Sequence, residues 1–292
     1  MSISTIAVVA PSGIFDVQKL QNGIQFLKAS GFHILTSPNL YAKHRVTAGT
    51  IEQRVSDFQW ALQQPNVDAI LFARGGYGCV ELLEHVDISS CTKFVMGFSD
   101  ATAMGAHFSN LNSTCFVHSP VLHSLVDHCD SLSQEYFVRF LKNTQDLPRF
   151  TGDWLCHSIQ KSIQYPIVGG NLCMLSSILG TPWQLNCRNK ILMLEEIGEP
   201  AYKIQRMLKQ MIYAKMFEGC KGIVLGSWTN CSVPTEEWNL MDLIHENLEE
   251  LEIPVLYNAS FGHGAQNWLW QANKIYELDN SACISPLQPI EM

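Results

Sequence analysis

The chain has 292 residues, 47% of them hydrophobic and only 16% charged, which is long enough for two domains and far too apolar for a disordered protein. The net charge is −8 with no block of like charge, so the basic footprint of a DNA- or RNA-binding protein is missing. Ten cysteines lie scattered from Cys79 to Cys283 without one C-x-x-C pair, which argues against disulfide scaffolds, zinc ribbons and thioredoxin-type chemistry and for reduced thiols.

The opening residues MSISTIAVVAPSG lack a basic segment and a signal-length apolar run, and no stretch approaches the ~20 apolar residues of a membrane span. A cytoplasmic protein that enters no membrane is expected. Thr5 to Ala10 is a short apolar run ending at Pro11-Ser12-Gly13, and Val17, Leu20, Ile24 and Leu27 then recur at helical spacing until Gly31. Thr50 and Gln53 form a capping box for a second helix, with Ile51, Val55, Phe58 and Leu62 on its apolar face and Pro65 at its end. An apolar strand Ala69 to Ala73 leads into Arg74-Gly75-Gly76-Tyr77-Gly78 and a short helix. A second strand, Phe94 to Met96, leads into Gly97-Phe98-Ser99-Asp100 and a helix from Ala101 to about Leu111.

Apolar strands alternating with amphipathic helices predict an α/β fold with a largely parallel sheet covered on both faces. Residues 1–145 are read as this first domain, the polar stretch 146–166 as a linker, and 167–292 as a smaller α/β or β-rich domain. The second segment holds a helix after Gly169-Gly170-Asn171, a strand Ile191 to Leu194 and a long helix from about Ala201 to Phe217. A strand Gly222 to Leu225 and two late strands, around Val255 and Trp268 to Trp270, complete it.

Four local patterns are able to carry chemistry. Ser99 sits between a strand and a helix, where a tight turn projects the hydroxyl and the helix N-terminus offers N–H groups to an oxyanion; taken alone, these residues read more readily as a simple helix cap by Ser99 or Asp100. The glycines of Arg74 to Gly78 let a backbone approach a ligand closely, yet match neither nucleotide-binding fingerprint, and a plain tight turn stays open. His263 stands between Gly262 and Gly264, which leaves its imidazole unhindered for proton transfer. Glu195 and Glu196 close the strand from Ile191, where a carboxylate either orients an imidazole or is simply solvated. His118, His123 and His128 are five apart and share no helix face, so no metal site is expected.

Taken in order, these motifs resemble the LD-carboxypeptidase family of serine peptidases, over about residues 5–278. The matching stretches are Val9 to Gly13, Ala73 to Gly78, Lys93 with Gly97 to Ala103, Gly169 to Leu172, Leu179 to Pro182, Leu194 to Glu196 with Tyr202 and Arg206, and Gly262 to Gly264. The resemblance implies a Ser-Glu-His triad at the domain interface, with Ser99 as nucleophile, Glu195 in preference to Glu196 as the orienting acid, and His263 as base. It implies an oxyanion hole from the N–H of Asp100 with Gly75 or Gly76. No cofactor is implied; a homodimer is. Arg74 and Arg206 are candidate anchors for the carboxylates of a small muropeptide substrate. The implied reaction is release of the terminal D-alanine from murein tetrapeptide in cell-wall recycling. The alternatives are an immunity-type peptidase cleaving a peptidyl-aminoacyl adenylate, with Trp183, Trp228, Trp268 or Trp270 as aromatic platform, and a non-catalytic muropeptide binder. The chain departs from the family pattern at His118-Ser119-Pro120, at Ala259-Ser260-Phe261 and at Gln205.

Overall fold

The computed structural model describes residues 2–234 and 237–287. Its first half alternates strand and helix: β1 (Thr5–Val9), α1 (Val17–Ala29), β2 (His33–Thr36), α2 (Ile51–Gln63), β3 (Ala69–Phe72), β4 (Phe94–Gly97), α3 (Thr102–Asn110), β5 (Phe116–His118), α4 (Leu122–Leu125) and α5 (Ser131–Lys142). Strands β1 to β5 are mutually parallel, and every residue of β3 is buried, as expected of strands covered on both faces.

Two helices present somewhat different faces from those their periodicity predicts. The capping box at Thr50 and Gln53 is present, but the fully buried residues of α2 are Arg54, Asp57, Phe58 and Ala61. The rotation is possible because the buried polar groups are satisfied: Asp57 accepts from the Ser37 hydroxyl at 2.6 Å and from the Asn39 amide, and Arg54 is fully engaged, as described below. On α1, Val17 is exposed and Gly23 is buried in its place, against Leu122.

The second half contains β6 (Phe150–Thr151), β7 (Asp153–Cys156), β8 (Ile163–Asn171), α6 (Leu172–Ser177), β9 (Ile191–Ile197), α7 (Ala201–Tyr213), β10 (Gly222–Thr229), α8 (Leu240–Leu248), β11 (Val255–Tyr257), β12 (Trp270–Gln271), β13 (Ile275–Leu278) and β14 (Cys283–Pro286). Eight of these strands form a mixed sheet in the order β6-β14-β13-β8-β9-β10-β11-β7, with β8 to β11 parallel at its centre. Residues 146–166, expected as a linker, contribute β6, β7 and the start of β8 to this sheet. Their strands are short, half-exposed edge pieces with no apolar run to betray them.

The first sheet runs β12-β5-β4-β3-β1-β2, so its edge is closed by a strand from the C-terminal segment, β12, antiparallel to β5 with Trp270 opposite His118. One hydrophobic core accordingly holds Val95 and Phe116 of the first half together with Phe261, Trp270 and Tyr276 of the second. Helix α7 stops at Tyr213, short of the predicted Phe217. Lys215 turns left-handed, and the bonds from Lys215 N–H to the Ile212 carbonyl and from Met216 N–H to the Met211 carbonyl form a Schellman cap without glycine. Among the described residues, no helix is long and apolar enough to cross a membrane.

Candidate active site

The C-terminal end of β4 builds the first part of the site. Phe98 is extended, Ser99 takes φ +62°, and one 3₁₀ turn over Ser99–Ala101 feeds α3. A non-glycine residue held left-handed costs about 1–2 kcal/mol, so the surrounding structure imposes this elbow. Its neighbour is the glycine-rich loop after β3. A Cβ on Gly75 would lie 2.9 Å from Ser99 Cβ and 3.1 Å from its Oγ, so only glycine lets the loop lie against the serine. Among the described residues, the backbone N–H groups of Gly75, Gly76 and Asp100 donate to no protein acceptor. Gly75 is not left-handed, so Gly75→Ala meets no backbone strain, but its methyl must push the Ser99 elbow aside. The displaced Ser99 should lose about a hundredfold in turnover, checked by steady-state kinetics beside a thermal melt.

Asp100 points its side chain inward, where its Oδ2 accepts from Cys79 N–H at 2.7 Å and ties the elbow to the loop. Burial pushes its carboxyl up, against the lowering influence of the Ser12 hydroxyl, the Cys79 N–H and the Arg54 charge. Arg54 is the hub beneath both loops, donating to the carbonyls of Pro11 (2.9 Å) and Gly78 (2.7 Å) and pairing with Glu81 at 2.5 Å. Sequence reasoning missed it, although a cation one turn from Phe58 on an apolar helix face was the signal.

The second part comes from β9 and the loop after β11. His263 Nδ1 lies 2.6 Å from Glu195 Oε2, with Glu195 0% exposed and the His263 side chain 13% exposed. Strand β9 runs on to Ile197, so the glutamates do not mark a solvated strand end: Glu196 is buried too, at 2%. Successive strand residues face opposite ways, and Glu196 turns from the histidine to accept from Asn171 Nδ2 (3.0 Å), Cys173 N–H (2.8 Å) and Ile197 N–H (2.7 Å). Burial raises its carboxyl from the ordinary value.

The histidine loop is held at several points. Gly262 N–H donates to Asn267 Oδ1 at 3.1 Å, Gly264 N–H donates to Ser227 Oγ at 3.0 Å, and His128 Nε2 lies 3.0 Å from the His263 carbonyl. Gly262 has φ +107°, and a Cβ there would meet Glu195 Cβ at 2.8 Å, so the glycine before the histidine is what admits the Glu195 contact. Ser227 and Asn267 carry no sequence signal beyond residue type, whereas Asn171 lies in the Gly169 to Leu172 motif.

The two parts meet through Phe98, whose ring centroid lies 4.6 Å from that of His263. No hydrogen bond joins Ser99 Oγ to His263 among the described residues; such bonds commonly tighten only when substrate is bound. Arg74 is exposed beside Gly75 and donates to the Ile14 carbonyl. Arg206 lies on the exposed face of α7, 5.5 Å from the Tyr202 ring, and the structure gives it no contact with the Glu195–His263 pair. No group of three or more His, Cys, Asp or Glu able to hold a metal occurs among the described residues.

Residues 6–119 match the model of the LD-carboxypeptidase N-terminal domain, and residues 165–278 that of the LD-carboxypeptidase C-terminal domain. A Synechocystis sp. relative that carries a carboxypeptidase name is 33% identical over 95% of this chain and 92% of its own. The murein tetrapeptide carboxypeptidase of Pseudomonas aeruginosa is 28% identical over 94% of this chain and 93% of its own. The solved structure of MccF in complex with glutamyl sulfamoyl guanosine superposes with a TM-score of 0.86 at 20% identity, covering 99% of this chain and 97% of that one, a likeness of fold.

Proposed function

The chain belongs to the LD-carboxypeptidase family, and from that premise we propose that it is a serine carboxypeptidase releasing the terminal D-alanine of murein tetrapeptide in cell-wall recycling. The observation that carries the reading is the buried 2.6 Å contact between Glu195 and His263, set beside a serine held left-handed at a strand-to-helix elbow. His263 Nε2 takes the proton of Ser99 Oγ as the oxygen adds to the carbonyl carbon of the L,D bond. The anionic oxygen that forms is received by Asp100 N–H with Gly75 or Gly76 N–H, and Glu195 stabilises the imidazolium. His263 then returns the proton to the departing amine, D-alanine leaves, and water repeats the sequence on the acyl-enzyme. Arg74, next to Gly75, is assigned to the substrate's terminal carboxylate. The enzyme is taken to act in the cytoplasm as the homodimer that its family resemblance implies.

Mass spectrometry of murein tetrapeptide incubated with the protein tests this. Loss of one D-alanine is expected, at a rate unchanged by EDTA because every step runs through Ser99, Glu195 and His263. Intact tetrapeptide would overturn the substrate, and failure of Ser99 to react with a fluorophosphonate would favour a non-catalytic muropeptide binder. One feature favours the immunity-type reading: a cavity of about 430 Å³ beside Gly264, with Trp228 as aromatic wall and Ser227, Asn258 and Gln266 as polar partners. Cleavage of a peptidyl-aminoacyl adenylate in preference to the tetrapeptide would establish it.

A further inference from the structure

Behind the Glu195–His263 pair lies a third titratable group that the reaction as written does not use. His118, the last residue of β5, is 1% exposed and enclosed by aromatic rings. It stacks on Trp270 (centroids 4.9 Å apart, planes 12° apart) and meets Phe98 at 5.7 Å and Phe261 at 5.8 Å edge to face. Those contacts fix the plane of the imidazole. Phe98 in turn packs on His263, so the cage and the candidate base share a wall.

The polar atoms at this spot are unbalanced. Glu195 spends Oε2 on His263, while its Oε1 is buried without a partner among the described residues. A buried carboxylate with one oxygen unpaired is costly, since it accepts at both oxygens in water. His118 Nε2 and Asn267 Nδ2 are likewise buried without a partner. The Asn267 amide is oriented by Gly262 N–H, which donates to its oxygen and leaves the nitrogen side free. The titratable groups facing His118 are Glu195 from β9 and His263 from the loop after β11; the Asn267 side chain also lies within its reach, and the elbow after β4 and β12 present Phe98 and Trp270.

We propose that His118 is a positioning residue of the Glu195–His263 pair: a neutral imidazole that turns its Nε2–H toward the Glu195 carboxylate and holds it on the base. The proposal rests on the serine-hydrolase reading above. Burial supports the neutral form, holding the His118 imidazole down at about 4 despite the nearby Glu195 charge, so at neutral pH it carries one proton and competes for none. Both oxygens of Glu195 are then supplied, Oε2 by the base and Oε1 from behind.

The test uses the full chain and three readouts. His118→Phe keeps the ring packing and deletes the donor. It should slow fluorophosphonate labelling of Ser99 and kcat by about ten- to hundredfold, with KM unchanged, the scale of removing a donor from a buried charge. The acid limb of the labelling-rate profile should move to higher pH, because the positive end of the lost N–H dipole had opposed proton uptake by the pair. His118→Gln places an amide N–H near the position of Nε2 and should restore most of the rate and the original limb. A purely structural role would leave the limb in place in both variants. Nitrogen-15 NMR of the wild-type imidazole, which needs no variant to fold, should show a neutral His118 with the proton on Nε2 from pH 5 to 8. An imidazolium at pH 6, a proton on Nδ1, or wild-type rate and profile in His118→Phe would each overturn the proposal. Labelling does not depend on the peptide, so a wrong substrate leaves this test intact. A wild-type protein that fails to label defeats the serine reading itself, and the NMR result then decides the His118 assignment alone.

Discussion

Replacing Ser99 by alanine is expected to lower kcat on the tetrapeptide by about a millionfold, the scale at which a triad enzyme loses its nucleophile, while the melting temperature stays near that of the parent. The fold survives because Ser99 caps nothing with its side chain: its 3₁₀ turn is closed by backbone bonds, and Oγ holds no structural partner among the described residues. Alanine inherits the same left-handed φ of +62° and therefore the same strain, so the parent and the variant differ only in the hydroxyl. Ser99→Gly separates strain from chemistry, since glycine adopts this φ freely. It should be equally inactive and no less stable than Ser99→Ala. Kinetics with a calorimetric scan on both variants reads the outcome, and near-parental turnover by a folded Ser99→Ala protein would remove the serine from the mechanism.

The second large effect separates two adjacent carboxylates. Glu195→Gln should reduce kcat by roughly 10⁴-fold, as loss of the acid does in other serine triads, because an amide at 2.6 Å from Nδ1 neither stabilises the imidazolium nor enforces the required tautomer. Glu196→Gln should leave kcat within a few-fold of the parent and show its effect in stability instead. Glu196 accepts three hydrogen bonds, two at Oε1 and one at Oε2. A glutamine that keeps the pair from Asn171 and Ile197 must turn its NH₂ toward the Cys173 N–H, leaving a buried donor facing a donor. A loss of about 1–3 kcal/mol is expected. Denaturant titrations run beside the kinetics distinguish the two patterns. If the effects are exchanged, Glu196 and not Glu195 serves the histidine during turnover.

Much of the fold was legible in the chain because local signals and the tertiary structure agree. The apolar runs of β1, β3 and β4 announce strands buried on both faces, the Thr50–Gln53 box starts α2 where expected, and the turn after Gly97 sets a serine at a helix entrance. Helix faces were less secure. The buried Arg54 and Asp57 contradict a face chosen by hydrophobicity, since their partners, the Pro11 and Gly78 carbonyls, Glu81 and Ser37, come from distant segments. Helix α5 was overlooked despite Asp130 at its N-cap and Phe137, Phe140 and Leu141 on its buried face, a pattern that was there to be read.

By itself, the sequence determined the α/β class and the short-range devices of capping box, glycine loop and elbow, because each depends on neighbours within a few positions; the three residues proposed for catalysis came from the resemblance of its ordered motifs to the LD-carboxypeptidase family. Tertiary structure alone decided which glutamate meets the histidine, since alternation along β9 sends Glu195 and Glu196 to opposite faces and one residue of register exchanges them. It also decided that residues 146–166 contribute β6, β7 and the start of β8 to the second sheet and that β12 returns to close the first, because short edge strands take their conformation from the ladder they join. The same pairing buries His118 against Trp270, a contact spanning half the chain that no local pattern encodes.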